Sequence, residues 1–190
     1  MRTLCLLAFL AATTNAFADW SLDNSGSELS FVTTKATDVA EVHTFDELSG
    51  SVGSDGHARV VIQLASVNTL IPIRDERMRE ILFQTDLFPT AAVDARLDIV
   101  RLNNMAVSTS EVLTTEILLS LGETSVPITA ELLLTRIAPD RVLVTPMKPI
   151  IVNAGTLNLA EGVEVLREIA GLPSISKAVP VTFVLQFVAA

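Results

Sequence analysis

Apolar and polar residues alternate along most of the chain with a period of two, the pattern of β-strands with one buried face. In the clearest run, residues 93, 95, 97 and 99 are apolar and residues 94, 96 and 98 are charged. Similar alternation runs through 28–35, 111–121, 126–137 and 179–188. The chain therefore consists mainly of strands, and we count about eight of them.

The links between these strands are mostly short and turn-like, as at Pro139-Asp140. Consecutive strands at near-regular spacing favour an antiparallel sandwich or a closed barrel. Strands do not alternate with helices, so a doubly wound sheet is not expected. The fold class expected from the pattern is all-β.

Two segments break the alternation and have helical spacing. The first, RDERMREILF at 74–83, carries six charges in its first seven residues, and its apolar Met78, Ile81 and Leu82 fall at i, i+3 and i+4. The second spans 159–170, with residues 163, 166, 169 and 170 predicted to share one face and Gly171 predicted to stop the helix.

The first 18 residues have the composition of a secretory signal peptide. Arg2 precedes an apolar run over 4–12, and Ala16-Phe17-Ala18 is a small-x-small cleavage site. We expect cleavage after Ala18, one domain over 19–190, and a periplasmic or secreted protein. The only cysteine, Cys5, lies in this segment, so the mature chain has no disulfide and no thiol chemistry. Such a chain suits an oxidising compartment.

The charge balance narrows the possible partners. Residues 1–18 contain one arginine and no acidic residue, so the formal charge of −9 becomes −10 in the mature chain. An acidic protein without basic clusters is not expected to bind nucleic acid or anionic membrane surfaces. No second segment is long enough to span a membrane. We therefore predict neither a nucleic-acid partner nor stable membrane insertion.

Candidate catalytic and metal-binding residues are few. No G-x-S-x-G motif occurs, and the two histidines, His43 and His57, are 14 residues apart without metal-ligand spacing. His43 is interpreted as a structural or pocket-rim side chain, and His57 as a solvated turn residue. The sequence indicates no polar cluster inside the barrel. We expect no enzyme activity, no metal and no required cofactor.

The apolar faces of the strands must enclose an interior of some kind. Alternation alone leaves two interpretations open, an ordinary packed core or a ligand cavity, because a closed eight-stranded barrel can hold one small ligand inside.

The order of several short motifs resembles the YceI-like family. The motifs are WSLD at 20–23, SELSFVTTK at 27–35, SVNT at 66–69, RDERMR at 74–79, DLFP at 86–89 and VPVTF at 179–183. The resemblance extends over essentially all of the mature chain. One departure lies at 121–124, where the chain reads LGET and the family usually has His-Gly before Val-Thr.

The resemblance implies an extended, eight-stranded, antiparallel, lipocalin-like barrel with one or two short helices. It also implies that an apolar channel binds an isoprenoid lipid or a quinone-type tail, and that a homodimer is possible. In that interpretation the channel-lining residues are Leu29, Phe31, Phe45, Met78, Ile81, Leu82, Phe83, Leu97, Ile99, Ile117, Leu119, Ile128, Leu132, Phe183 and Leu185.

Three functions follow as alternatives: a carrier or store for an isoprenoid lipid, a protein that sequesters foreign lipophilic molecules, and an enzyme that acts on a lipid. A strictly apolar channel favours the first two, and a polar cluster inside the barrel favours the third. The charged segment at 74–83 is expected to be either a solvated cap or a gate at the barrel's opening, and Arg74 and Arg77 are expected to pair with neighbouring acids.

Overall fold

The computed structural model describes residues 20–190. The predicted signal peptide lies outside the described residues. The strands are β1 (Trp20–Leu22), β2 (Glu28–Lys35), β3 (Val39–Phe45), β4 (Leu48–Val52), β5 (His57–Gln63), β6 (Val67–Asn68), β7 (Thr90–Arg96), β8 (Thr109–Leu121), β9 (Thr124–Ala138), β10 (Arg141–Pro146), β11 (Ile150–Asn153) and β12 (Ala178–Ala189).

Helices are short and lie between these strands. They are α1 (Pro72–Arg77), which continues directly as a π-helix (Met78–Phe83), α2 (Ile99–Asn104) and α3 (Ala160–Ile169). Two single 3₁₀ turns occupy Asn24–Gly26 and Leu64–Ser66. None of the helices between residues 20 and 190 has the length and apolar character that a bilayer-spanning helix needs.

Eight strands form a closed antiparallel ring. Their order is β1-β4-β5-β7-β8-β9-β10-β12, and β12 pairs with β1 to close it. Closure leaves this ring without an edge strand, so every strand in it has partners on both sides. The predicted all-β, eight-stranded barrel is confirmed.

A second sheet extends the barrel beyond the ring. Its order is β11-β12-β2-β3-β6, and it shares the long strand β12 with the ring. Only a 3₁₀ turn separates β1 from β2, and a two-residue break separates β3 from β4. β1 with β2, and β3 with β4, thus each form one long bent strand that runs through both sheets, and the barrel is elongated.

Helices cover the opening between the two edges of the second sheet, β6 and β11. The segment α1–π-helix follows β6, and α3 follows β11. The two helical segments pack closely, because a Cβ added to Gly162 of α3 would lie 3.1 Å from the Leu82 Cα. The charged segment that interrupts the strands is thus a piece of the barrel wall, beside α3.

Three details of the sequence interpretation are wrong. Ile99 does not continue strand β7: the strand ends at Arg96, and the Asp98 carboxylate caps α2 by accepting a hydrogen bond from the Arg101 N–H. Ile81 is not on the inner face of its segment, because the π-helix places Met78 and Phe83, five residues apart, inside. Ile169 is exposed on α3 and does not share the inner face.

Candidate functional site

An apolar cavity of about 410 Å³ occupies the barrel interior, within the size range of small-molecule sites. Its wall includes Trp20, the first residue of β1, and Lys35, the last residue of β2. Because β1 and β2 follow one another along the wall, these two residues mark opposite ends of the cavity. The interior therefore contains a cavity and is not only packed core.

Thirteen of the fifteen residues predicted to line a channel lie in the cavity wall. They are Leu29, Phe31, Phe45, Met78, Leu82, Phe83, Leu97, Ile117, Leu119, Ile128, Leu132, Phe183 and Leu185. Of the other two, Ile81 faces a small polar groove between the π-helix and α3, and Ile99 is buried in α2. Whether the thirteen residues contact a ligand stays a prediction.

The wall also contains residues that alternation did not point out. Leu159, Val163, Leu166 and Ala170 of the second helical segment line the cavity, as does Val142 of β10. Helix α3 had been identified by its periodicity, but its place over the open side of the second sheet depends on long-range packing. Sequence spacing carries no signal for that placement.

Aromatic rings form a continuous part of the wall. Phe31 stacks on Phe45 with ring centroids 5.2 Å apart, and Phe45 meets Phe83 of the π-helix at 5.7 Å. His43 meets the edge of Phe31 at 5.3 Å. Such contacts hold flat apolar surfaces in fixed orientation along the cavity.

The inward faces of β2 and β3 change from apolar to polar along the barrel. The strands are paired so that Phe31 lies opposite His43 and Thr33 lies opposite Glu41. The inward face of β2 continues to Lys35, which also lines the cavity. Two neighbouring strands thus carry the same gradient toward the same end.

A charged cluster forms that end. One Glu41 carboxylate oxygen, Oε2, accepts hydrogen bonds from Lys35 Nζ at 2.8 Å and from Arg74 Nη1 at 2.7 Å. These contacts hold the pKa of Glu41 below its ordinary value, chiefly through the hydrogen bond from Lys35. Arg74 also donates from Nη2 to the Thr69 carbonyl at 2.7 Å. The side chains of Lys35, Glu41 and Arg74 retain 26%, 32% and 26% of their accessible surface, so solvent reaches this end.

His43 lies just inside this cluster and is only 3% exposed. Its Nε2 is 2.9 Å from the Thr33 hydroxyl, and its Nδ1 has no hydrogen-bond partner among residues 20–190. Burial lowers the pKa of His43, and the charges of Arg74 and Lys35 lower it further. The imidazole is therefore neutral at pH 7.

Arg74 and Arg77 differ in their contacts. Arg74 pairs with Glu41 as expected, whereas the side chain of Arg77, half-buried in the cavity wall, makes no ion pair or hydrogen bond within the described part of the chain. Asp75 Oδ1 accepts a hydrogen bond from the Thr69 backbone N–H at 2.8 Å, and among residues 20–190 it forms no ion pair with an arginine. The predicted pairing of both arginines with acids is wrong for Arg77.

The sequence interpretation found no polar cluster in the barrel, and the cluster at Lys35, Glu41, His43 and Arg74 overturns it. The cluster does not form a catalytic triad, however. Thr33 and His43 are within hydrogen-bond distance, but no carboxylate orients His43 Nδ1 in residues 20–190.

His57 lies on the outer wall and pairs with Asp94 at 3.0 Å. In the described chain no three His, Cys, Asp or Glu side chains group to hold a metal ion.

The fold agrees with comparisons to known proteins. A polyisoprenoid-binding domain from Saccharophagus degradans, implicated in plant cell wall breakdown, superposes with a TM-score of 0.89 and 37% sequence identity. The match covers 90% of this chain and 98% of that one. Burkholderia cenocepacia BcnA superposes with a TM-score of 0.67 at 15% identity, over 87% of this chain and 98% of that one, which shows a shared fold.

Comparison with curated protein sequences gives no match. The model of the YceI-like domain matches residues 20–187, nearly all of the described chain. The chain belongs to the YceI-like family.

Proposed function

We propose that the protein binds an isoprenoid lipid, of the polyprenyl or quinone type, in the barrel cavity and carries or stores it in the periplasm. The observation that supports this most is the shape and chemistry of the cavity: apolar along its length, closed at one end and polar only at the other. The similar domain from Saccharophagus degradans is described as polyisoprenoid-binding.

Burial of the tail supplies the binding free energy. Each CH₂ group that leaves water contributes about 0.8 kcal/mol. The wall offers aliphatic and aromatic side chains and, apart from the charged cluster, almost no polar group that a tail would desolvate. The protein therefore solubilises a molecule that water alone would exclude, and it needs no chemical step to do so.

The cavity also supports a second use of the same site, sequestration of foreign lipophilic molecules. The two uses differ in selectivity. A carrier is expected to hold one prenyl lipid at a fixed stoichiometry, and a sequestering protein is expected to hold many compounds of similar volume with comparable affinity.

Extraction and mass spectrometry of the purified protein test the proposal. Protein purified under native conditions is extracted with organic solvent, and a sample denatured, stripped and refolded is the control. One prenyl lipid or quinone per chain in the native sample, and its re-uptake by the stripped sample, are the expected results. A stripped protein that takes up no prenyl lipid contradicts the proposal.

Export and assembly complete the proposal. Residues 1–18 direct the chain to the periplasm, which cell fractionation and N-terminal sequencing test. The outer face of the second sheet exposes Val42, Ile151 and Val184, which is consistent with a homodimer. Light scattering of the lipid-loaded protein measures that state, and a monomer at micromolar concentration contradicts it.

A further inference from the structure

Four consecutive apolar residues, LIPI at 70–73, are exposed to solvent where β6 leads into α1. Leu70 exposes 85% of its surface, Ile71 44% and Ile73 53%. We call residues 70–73 the apolar tip. Single exposed apolar residues are common on soluble proteins, but a contiguous group of them indicates an interaction site.

Hydrogen bonds hold the apolar tip beside the end of the cavity that solvent reaches. Arg74 follows the tip, lines the cavity and donates from Nη2 to the carbonyl of Thr69, which precedes the tip, at 2.7 Å. Asp75 Oδ1 accepts from the Thr69 N–H, and Asn68 Oδ1 accepts from the Leu70 N–H at 3.0 Å. Both sides of the tip are therefore fixed to the barrel, and its apolar side chains stay outside.

Leu70 combines two features that folding alone does not explain. Its φ is +61°, in the left-handed region that glycine and asparagine adopt readily and leucine rarely does. The other non-glycine residues with a positive φ in residues 20–190 are alanine or polar. Its side chain also remains in water, so the strain is not offset by burial within the chain. Strained residues of this kind cluster at sites with a function.

The charges around the apolar tip balance one another. The charged side chains of the cavity's opening and of α1 are three cations and three acids, which sum to zero: Lys35, Arg74, Arg77, Glu41, Asp75 and Glu76. The whole chain, in contrast, has a formal charge of −9. The tip therefore lies in a locally neutral region of an acidic protein, and its attraction to a partner comes from apolar contact.

The size and position of the apolar tip favour a lipid bilayer over a protein as that partner. A stable protein interface takes about 20–30 residues a side, and the tip has four. A bilayer interface needs no complementary pocket, and each apolar side chain that enters it adds to the affinity. The tip also adjoins the end of the cavity through which solvent, and hence a ligand, reaches the interior.

We propose that the apolar tip docks the protein reversibly on the surface of a lipid bilayer, with Leu70, Ile71 and Ile73 in the interface, and so brings the cavity's opening to the membrane. The choice of a bilayer rests on the proposed function, because the lipid that the cavity is proposed to carry resides in membranes. Docking is peripheral and adds no membrane-spanning segment.

Flotation with vesicles tests docking without any prenyl lipid. The purified protein is mixed with vesicles of phosphatidylcholine and phosphatidylethanolamine, and the fraction that floats with them gives a partition coefficient. Leu70→Asn is expected to reduce this coefficient about tenfold or more, the factor that corresponds to one buried leucine side chain. Because asparagine adopts a positive φ readily, the variant should be at least as stable as the unmodified protein.

Two further variants make the test specific. Ile73→Gln, in the first turn of α1, should also reduce flotation severalfold, and it tests the tip without changing the residue at positive φ. Leu87→Asn is the matched control, because Leu87 is 70% exposed and lies between the π-helix and β7, outside the tip. Its partition coefficient should equal that of the unmodified protein.

Transfer of a lipid connects docking with the proposed function. Uptake of geranylgeraniol from vesicles should slow severalfold in Leu70→Asn, whereas the affinity for geranylgeraniol added in detergent should stay the same. Equal rates of uptake from vesicles in both proteins overturn the role of the tip in loading. Flotation of a protein that takes up no prenyl lipid contradicts the proposed function and leaves docking intact.

Three other results overturn docking itself and leave the proposed lipid binding untouched. The first is an unmodified protein that does not float, or equal reductions in Leu70→Asn and Leu87→Asn. The second is a change of oligomeric state in Leu70→Asn without a change in flotation, which assigns the tip to a contact with a second copy of the chain. The third is flotation that requires phosphatidylglycerol and is abolished by salt, which assigns binding to the cations.

Discussion

The two ends of the cavity are built in opposite ways. At the Trp20 end, large apolar side chains fill the barrel, and the polar edge of Trp20 is satisfied by a hydrogen bond from Nε1 to Asn103 Oδ1 at 3.1 Å. Arg136 lies over the Trp20 ring with its guanidinium carbon 5.2 Å from the centroid. At the Lys35 end, by contrast, charged side chains line the interior. Buried nitrogens without a hydrogen-bond partner among residues 20–190 occur at both ends, Arg136 Nε beside Trp20 and Arg74 Nε and His43 Nδ1 at the charged end.

The comparison teaches which end serves stability. Closing a barrel with packed apolar side chains lowers the free energy of the fold, because apolar surface leaves water. Partly buried ions lower the free energy of the fold much less, because the cost of desolvating them offsets much of their mutual attraction. The charged end therefore contributes little to stability, and substitutions at the two ends should have opposite profiles of stability and binding.

The largest expected loss of stability comes from Trp20→Ala at the closed end. It removes a fully buried ring, its hydrogen bond and its contact with Arg136, so we expect the free energy of unfolding to fall by about 3–5 kcal/mol. Urea unfolding followed by circular dichroism measures this. The exposed Val112→Ala on β8 is the control and should stay within about 0.5 kcal/mol. A loss below about 1 kcal/mol at Trp20 would contradict the closed-end account.

Ala95→Phe should sharpen the comparison by shortening the cavity from the same end. Ala95 lines the cavity and lies in the same cross-strand row as Trp20. In this row Trp20 pairs with Val52, Val52 pairs with Ala58, and Ala58 pairs with Ala95. Excluding only two tail carbons costs about 1.6 kcal/mol, or about tenfold in Kd. Titration with a series of tail lengths should show this loss for long tails and little for short ones.

Leu118→Phe is the matched control for Ala95→Phe, because Leu118 is exposed on the outer face of β8. It adds a ring without entering the cavity, and its binding should be unchanged for every tail length. An equal loss for short and long tails in Ala95→Phe would indicate damage to the fold instead of a shortened cavity.

At the charged end, pH should act through His43. Its pKa is lowered in the fold from an ordinary value of 6.5, so below that pH the unfolded chain binds the proton and the folded chain does not. Stability due to neutral His43 is present above 6.5 and declines as pH falls toward the folded pKa. The charged groups that face the ring are Arg74, Lys35, Glu41 and Asp75. The pKa of Glu41 is lowered as well, but this changes the stability only below its ordinary value of about 4.5.

Urea unfolding at pH 7.5 and pH 5.5 measures that effect. His43→Gln removes the titrating ring, so its stability should change less between the two pH values than that of the unmodified protein. Equal changes in both proteins would show that other groups cause the pH dependence.

The smallest expected effect is that of Lys35→Met. Lys35 and Glu41 form a partly exposed ion pair, and Glu41 keeps Arg74 after the substitution. Such a pair contributes about 0–1 kcal/mol. Thermal or urea unfolding should therefore show a change several times smaller than that of Trp20→Ala, and a loss of about 3 kcal/mol would reverse the stated difference between the ends.

Sequence periodicity predicted the strands because one buried face imposes a period of two on each of them. The prediction for Ile99 is wrong because Ile99 continues the alternation of β7 in the sequence, whereas in the structure Asp98 caps the start of α2. It misjudged Ile81 because helical spacing assumes an α-helix, and a π-helix places residues five apart on one side. Both errors lie at a change of local geometry, where period and phase no longer determine which face is buried.

The charged end could have been inferred only in part. The inward residues of β2 run from Leu29 and Phe31 to Thr33 and Lys35, and this gradient is visible in the sequence. The neighbouring gradient in β3, through His43 to Glu41, becomes meaningful only when the register of the two strands is known. Arg74 is 33 residues from Glu41, and no local pattern predicts that they meet.

Quenching of Trp20 fluorescence tests the central claim, that a lipid lies with its tail at the closed end of the cavity and its head at the end that solvent reaches. Trp20 is the only tryptophan of the chain and lines the closed end of the cavity. Two prenyl lipids are compared, one brominated at the end of the tail and one brominated beside the head. Strong quenching by the tail-brominated lipid and weak quenching by the head-brominated lipid is the predicted result. Equal quenching by both lipids, or stronger quenching by the head-brominated one, would contradict the account.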